Sequence, residues 1–333
     1  MAESRSRIVK VGAIKETTYA LGTTPVWTAG GDAFLLYDNG SFVDVDTNTI
    51  DIVPLKEAYT PVKSLIGRQL QTFSGKNFLQ GSGTNGTAPS YKGLLTACAL
   101  NEASGDDGTS SSVVYRPQSS ALKSSNIIAE LDGIDYEMNG TFGTFTMAGT
   151  AAQGVEINWD MKGLYTAPTA ATVKTNFAAG ANRAATMKSA ALVIGTWDGG
   201  DADGLVFKSF SLDRGASVTE RSDANATDGI IGLTIEGTAP TLELVIEAKT
   251  SLIASGTENL YAALTSSTTK AVTWGLDIGT AGNEVTFSVP EYQVTGMSVS
   301  DGEGGVRTWT VSGKPTHITD NATNGNEFSI TYK

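Results

Sequence analysis

The stretch GVEINWDMKGLYTAPT, residues 154–169, and the shorter stretch GVRTWTVSGKPT, residues 305–316, follow one pattern. In each, a Gly-Val pair leads to a tryptophan, a glycine follows the tryptophan four residues later, and Pro-Thr ends the run. The two copies stand in opposite halves of a 333-residue chain, which is long enough for two domains with a core in each. Solenoid repeats are much shorter, at about 20–50 residues. The pattern therefore predicts one β domain written twice.

The first copy alternates apolar and polar residues, as a half-buried antiparallel strand does. Val155 shares a face with Trp159, with polar residues between them. The second copy has one residue fewer before its tryptophan, so Val306 falls on the face opposite Trp309. A bulge or an altered register in one copy is the expected result.

The composition is that of a turn-rich β protein, with 38 glycines and 40% hydrophobic residues. Asp132-Gly133 between two β-like runs predicts a tight hairpin, because this dipeptide supplies the positive φ of a type I′ turn. A short helix is predicted after Pro89, and a weaker one over Thr257 to Leu264 with Thr257 as its N-cap. We therefore expect a mainly β chain with one short α-helix in each half.

The predicted organisation has three parts. Residues 1–165 form the first β domain, whose first 31 residues are interpreted as an extended amino-terminal arm that becomes ordered by docking. Residues 166–186, rich in Ala, Thr and Asn, are interpreted as a linker. Residues 187–333 form the second domain.

The charge of the chain argues against some partners. A net charge of −12 disfavours a surface that grips nucleic acid, because such a surface needs a basic patch. The amino-terminal residues contain no apolar core of a signal peptide, and no window is apolar enough for a membrane span, so assembly in the cytoplasm is expected. The single cysteine, Cys98, is interpreted as a buried apolar residue, and the single histidine, His317, is given no catalytic or ligand role.

Two motifs leave alternatives open. Gly81, Gly83 and Gly86 match G-x-G-x-x-G, which suits either a dinucleotide site or a flexible connection into a helix. The loop from Asp198 to Gly204 has three aspartates and suits either calcium or an acidic turn. No nucleophile elbow, P-loop, zinc signature or triad-like arrangement is present. We accordingly predict no enzyme activity, no cofactor, and no catalytic, cofactor-binding or metal-ligating residue.

Several stretches, taken in order, resemble the tail tube (major tail) proteins of long, flexible-tailed bacteriophages. The resemblance runs from about Lys15 to Lys333, and its specificity lies in the order of the pieces. These pieces are GTAPSYKGLLTACAL, VVYRPQSS, GVEINWDMKGLYTAPT, FKSFSLDRG with TERSD, EYQVTGMSVSDGEGGVRTWTVSG and NEFSITYK.

The resemblance implies a β-sandwich or incomplete β-barrel flanked by a short helix, repeated in tandem here. In the family, single-domain subunits form hexameric rings that stack into the channel for DNA ejection, so a tandem subunit implies pseudo-hexameric rings of three copies. The implied partners are further copies of the chain, tail tip and tail terminator proteins, a tape measure protein in the lumen, and genomic DNA that passes without specific binding. The implied location is the virion tail, assembled in the host cytoplasm without membrane insertion.

Two groups of residues are predicted to serve this role. An acidic lining keeps DNA central because it repels phosphates, and the predicted lumen or surface acids are Glu156, Asp160, Glu236, Glu243 and Glu247. Long polar loops over 54–68 and 215–229 are predicted to form ring-to-ring contacts through Pro54, Glu57, Arg68, Glu220, Arg221 and Asp223. The alternative is a tail-tip or decoration module that binds host glycans, for which exposed aromatic clusters are expected.

Overall fold

The structure is a computed structural model, and it describes residues 9–27, 31–36, 43–52, 62–104, 111–174, 184–195, 197–198, 205–226, 229–249, 259–277, 280–317 and 325–333. Strands dominate this part of the chain, as the sequence predicts. In the first half the elements are β1 (Val9–Lys15), β2 (Ala33–Leu35), β3 (Asp44–Ile50), β4 (Leu65–Phe78), α1 (Lys92–Ala97), β5 (Leu100–Ser104), β6 (Val113–Pro117), β7 (Ser125–Leu131), β8 (Ile134–Thr150), β9 (Glu156–Tyr165) and β10 (Thr169–Ala170).

The second half continues with β11 (Leu192–Ile194), β12 (Trp197–Asp198), β13 (Phe207–Asp213), β14 (Ala216–Ser222), β15 (Ile230–Thr238), β16 (Thr241–Glu247), α2 (Leu260–Ser266), β17 (Thr269–Leu276), β18 (Val285–Asp301), a 3₁₀ turn (Glu303–Gly305), β19 (Arg307–Thr316) and β20 (Ser329–Tyr332).

The two halves share one order of antiparallel strands. In the first half, β3 pairs with β4, β4 with β9, β9 with β8, and β8 with β7. In the second half, β13 pairs with β16, β16 with β19, β19 with β18, and β18 with β17. Each half thus holds the same four-strand block, β3–β4–β9–β8 or β13–β16–β19–β18.

The two blocks are joined edge to edge into one continuous sheet. Strand β8 pairs with β13 from Thr146 opposite Asp213 to Thr150 opposite Ser209. The carboxyl-terminal strand β20 also links the halves, because it pairs with both β18 and β6. The β14–β15 hairpin forms a separate two-stranded sheet.

The Gly-Val to Trp pattern marks equivalent positions in the two blocks. Its strands, β9 and β19, each lie beside a 17-residue strand, β8 or β18, whose register shifts next to the pattern glycine. A Cβ on Gly163 would lie 2.6 Å from Thr141 Oγ1, and one on Gly313 would lie 2.4 Å from the carbonyl oxygen of Gln293. Both glycines are therefore required by the close approach of a bulged neighbouring strand.

The prediction about the two valines is confirmed. Val155 is fully buried with Trp159, whereas Val306 is 44% exposed although Trp309 is buried. The register shift occurs in both long strands rather than in one copy.

The core runs through both halves. The buried apolar residues that the structure describes form one large cluster, which includes Trp159, Trp274 and Trp309, and one small cluster under β14–β15. The apolar faces of the two halves are continuous because the β8–β13 pairing places Leu212 opposite Met147.

Local predictions are partly confirmed. Asp132 and Gly133 have φ of 44° and 92° and join β7 to β8 in the predicted hairpin. Helix α2 begins later than predicted, and its N-cap is Asn259 rather than Thr257, since the Asn259 side chain accepts hydrogen bonds from the Tyr261 and Ala262 amides. Residues 9–15 of the predicted amino-terminal arm are strand β1, which pairs with β7 over its whole length. In the predicted linker, Thr169–Ala170 pairs with β8, and 175–183 lie outside the described residues.

Candidate functional site

One face of the continuous sheet carries polar side chains from seven strands. Residues directly opposite one another share a face, and the row through Glu156, Ala148, Ser211, Glu243 and Ser312 crosses β9, β8, β13, β16 and β19. We call this surface the polar face; its side chains include Ser74, Lys76, Thr144, Thr146, Glu156, Asn158, Asp160, Ser209, Ser211, Asp213, Glu243, Glu247, Ser298, Thr310, Ser312 and Lys314.

Carboxylates pair with lysines on the polar face and at its margin. The Lys76 ammonium lies 3.1 Å from Glu156, and Lys208 lies 2.7 Å from Glu247 at the sheet margin. The same face carries three further acids, Asp160, Asp213 and Glu243, and one further base, Lys314. The polar face is therefore rich in hydroxyl groups and slightly acidic.

Four of the five predicted acids lie on this face. Glu156 and Asp160 stand on β9, and Glu243 and Glu247 stand on β16. Glu236 is the exception: it lies on β15, outside the polar face, and accepts a hydrogen bond from Thr219 Oγ1 at 2.9 Å.

The β14–β15 hairpin covers one end of the sheet on the same side. Ile230 and Leu233 pack with Leu70 and Phe142 in the small apolar cluster. The Leu233 amide donates to the Tyr19 hydroxyl at 2.6 Å, and burial raises the pKa of Tyr19. The hairpin is thus fixed to the sheet by apolar contact and by the amino-terminal part of the chain.

The described parts of the predicted ring-to-ring loops include two strand segments. Residues 216–222 form β14 and residues 65–68 belong to β4, because each pairs with a neighbouring strand instead of looping out. Arg68 contacts Glu220 at 3.0 Å and Asp46 at 3.3 Å, so residues predicted in two separate loops meet within one chain. Glu220 also accepts from Lys162 at 2.8 Å.

Of the other predicted contact residues, two lie at or just after the end of β14 and two lie outside the described residues. Arg221 is exposed at the end of β14. The Asp223 carboxylate accepts from the Asn225 amide at 2.9 Å and so stabilises a turn. Pro54 and Glu57 lie outside the described residues.

An exposed apolar surface that the sequence patterns did not predict lies on β3 and the start of β4. We call residues 43–52 and 62–69 the arm; its apolar side chains Val45, Ile50, Ile52, Val62, Leu65 and Ile66 are 41–68% exposed. The sequence signal for this surface was the set of apolar residues before Pro54 and before Arg68. Isolated exposed apolar residues are ordinary, but a group on one projecting hairpin indicates an interaction surface.

The glycine loop has a packing role in this structure. A Cβ on Gly81 would lie 2.1 Å from the Gly282 carbonyl oxygen, to which the Gly83 amide donates at 2.9 Å. The preceding strand β4 pairs antiparallel with its neighbours, which is not the parallel βαβ arrangement of a dinucleotide site. The loop joins the halves by close backbone contact.

The remaining candidates carry no assembled chemistry. Cys98 is buried, as predicted, and burial raises its thiol pKa. His317 is exposed, and residues 199–204 of the aspartate loop lie outside the described residues. Within the part of the chain that is described, no group of three or more His, Cys, Asp or Glu side chains is placed to hold a metal, and no helix is long and apolar enough to cross a membrane.

Comparison of the chain with protein-family models and with curated proteins finds no match.

Proposed function

We propose that this protein is a structural subunit of a bacteriophage tail tube, which assembles as rings of three copies that stack into a channel for DNA ejection. The observation that carries the proposal is the continuous sheet built from two blocks of one strand order. A chain that already joins two equivalent blocks edge to edge is suited to continue the same contact with further copies.

The polar face supports a channel lining. DNA carries about one charge per 1.7 Å of axis, and a lining with a basic cluster would retain it. On the polar face, Lys76 is held by a carboxylate, and Asp160, Asp213 and Glu243 add negative charge. Hydroxyl and carboxylate groups let DNA pass without specific binding.

The end of the arm around Leu65 and Ile66 supports contact between rings. Ile66 is 68% exposed and Leu65 is 55% exposed, and both lie near the end of a hairpin that extends from the sheet. Burying such side chains against a neighbouring subunit contributes about 25 cal/mol per Å² of apolar surface removed from water.

The glycan-binding alternative has less support. Among the described aromatic side chains, Tyr19 alone is classed as exposed, at 38%, and its hydroxyl is engaged by Leu233. Sugar platforms need aromatic faces open to solvent, and most of the described rings instead belong to the core.

Electron microscopy of the purified chain over a range of concentrations tests the proposal. Rings or tubes with a uniform bore are expected, and their formation should rise with concentration. A chain that stays monomeric at every concentration, or that binds oligosaccharide as a monomer, would contradict the proposal.

A further inference from the structure

We propose that the open edge of β18 receives strand β3 of a second copy of this chain, with Asp46 opposite Ser300. This inference rests on the proposed function, since it specifies the contact by which subunits join within a ring. It follows from the internal β8–β13 junction, which supplies the geometry.

Each strand of that junction has a counterpart in the other half. Strand β8 corresponds to β18, because each lies between the tryptophan strand and a shorter strand, β7 or β17. Strand β13 corresponds to β3. Strand β13 pairs with β16, which lies beside the tryptophan strand β19, and β3 pairs with β4, which lies beside the tryptophan strand β9. The β8–β13 contact therefore predicts a contact between β18 and β3.

Both counterpart edges are open in the described residues. The second half of β18, from Gly296 to Asp301, pairs with β19 on one side, while its pairings with β17 and β20 end at Gln293 and Ser288. Strand β3 pairs with β4 alone, and all seven of its residues are exposed. An open edge presents unpaired backbone N–H and C=O groups that another strand can satisfy.

Within the described part of one chain, β3 and β18 do not pair with each other as β8 and β13 do. They stand at opposite ends of the eight-strand order β3–β4–β9–β8–β13–β16–β19–β18. A contact between unlike edges is head-to-tail, and repeated around an axis it closes a ring. A second copy is thus the occupant that fits.

The register follows from equivalent pairs. Met161 lies opposite Gly143, and its counterpart Val311 lies opposite Met297, so residue 143 corresponds to residue 297. In the same way, Thr72 on β4 corresponds to Glu243 on β16. Thr72 lies opposite Asp44 and Glu243 lies opposite Ser211, so Asp44 corresponds to Ser211.

The internal pair Ser211 with Ala148 therefore transfers to Asp44 with Gly302. Along antiparallel strands, this register places Asp46 opposite Ser300 and Asn48 opposite Ser298.

The side chains are compatible with this register. Ser298 and Asn48 fall on the polar face, and Thr47 falls opposite Val299, which is 53% exposed in the single chain. Val45, 46% exposed, becomes a diagonal neighbour of Val299 on the other face. The register sets no two like charges directly opposite each other.

Paired cysteines test the register. The native Cys98 is buried, so engineered cysteines at exposed positions can be oxidised selectively. The test variant is Asn48→Cys with Ser298→Cys, and the matched control is Asn48→Cys with Val299→Cys, whose side chains would point to opposite faces. Mild oxidation of the assembled protein, followed by non-reducing electrophoresis and mass measurement, reads out covalent links between chains.

We expect the test pair to convert the monomer band into covalent oligomers and the control pair to leave it unchanged. Assembly without this cross-link, or equal cross-linking of both pairs, would overturn the register while leaving the proposed function standing. Dimers formed by Asn48→Cys alone would show that β3 pairs with its own copy and would also overturn it. Absence of any assembly, seen by microscopy of the same samples, would overturn both proposals.

Discussion

At the scale of single residues, Gly163 and Gly313 explain why the tryptophan pattern ends in glycine. We expect Gly163→Ala and Gly313→Ala each to lower the free energy of unfolding by about 1–3 kcal/mol, because the added methyl overlaps Thr141 or Gln293. Denaturant unfolding monitored by circular dichroism measures the change. Gly237→Ala is the control, since its added Cβ meets nothing within 4 Å. Equal effects at all three positions would contradict this explanation.

Arg214 is a buried charge that joins the two halves. Its guanidinium donates to the carbonyls of Cys98 and Ala99 at 3.2 and 3.3 Å, at the end of α1. Burial lowers its pKa to about 10, while the charge of Glu327 opposes that shift. The residue therefore stays charged at neutral pH and depends on these partners.

We expect Arg214→Met to lower the free energy of unfolding by about 3 kcal/mol or more, because it leaves buried carbonyls and Glu327 without their cation. Arg221→Ala, at an exposed position, should change it by less than about 0.5 kcal/mol. Thermal and denaturant unfolding of both variants provides the comparison. A stability of the Arg214 variant equal to that of the parent would show that the buried charge is dispensable.

Residue patterns predicted which face of a strand is buried, but they did not predict why glycine is required at two positions. The period of two placed Val155 inside and Val306 outside because alternation depends on local backbone geometry alone. The need for glycine at 163 and 313 depends on a bulge in a neighbouring strand, which no local pattern reveals. The N-cap prediction was wrong because Thr257 and Asn259 are both good caps, and α2 begins after Asn259.

At the scale of elements, the arm is the feature with the clearest functional consequence. We expect Ile66→Asp to leave the free energy of unfolding within about 0.5 kcal/mol of the parent, because the side chain is exposed in the single chain. The same change should reduce tube formation, because it places a charge in the proposed contact between rings.

Sedimentation and electron microscopy of Ile66→Asp measure this loss. Leu21→Asp is the matched control, as Leu21 is 61% exposed but lies outside the arm. Unchanged tube formation by Ile66→Asp, or equal loss by Leu21→Asp, would argue against a role for the arm.

Elements with a strong local signal were predicted, and those defined by long-range pairing were not. The β7–β8 hairpin was predicted because Asp132-Gly133 determines its turn. Strand β14, ASVTERS, was predicted as a polar loop, because its residues are exposed or half-buried and its pairing with β15 leaves no alternating apolar pattern. The acids of β9 and β16 were selected from local alternation, whereas their common face depends on the β8–β13 junction.

At the scale of the whole molecule, buried tyrosines predict a sharp alkaline limit to stability. Burial raises the pKa of Tyr91, Tyr115, Tyr292 and Tyr332 above the ordinary value of 10.0. These phenols stay neutral in the fold and ionise in the unfolded chain above about pH 10. Stability is therefore unaffected below that pH and falls above it, by about 1.4 kcal/mol per pH unit for each tyrosine.

A pH titration that records tyrosinate absorbance and circular dichroism together checks this sign. A rise in tyrosinate absorbance from these four residues should coincide with loss of the β signal. Ionisation of all ten tyrosines before any unfolding would contradict the burial of these four.

The proposed place of the chain in a ring rests on the two four-strand blocks, each of which would take the position of one single-domain subunit. The most direct measurement is the native mass of the smallest ring, determined on the same sample as its class averages in electron microscopy. We expect three chains of 34.6 kDa each in a ring with a pseudo-sixfold outline. A ring of six chains, or a closed assembly with no pseudo-sixfold repeat, would contradict it.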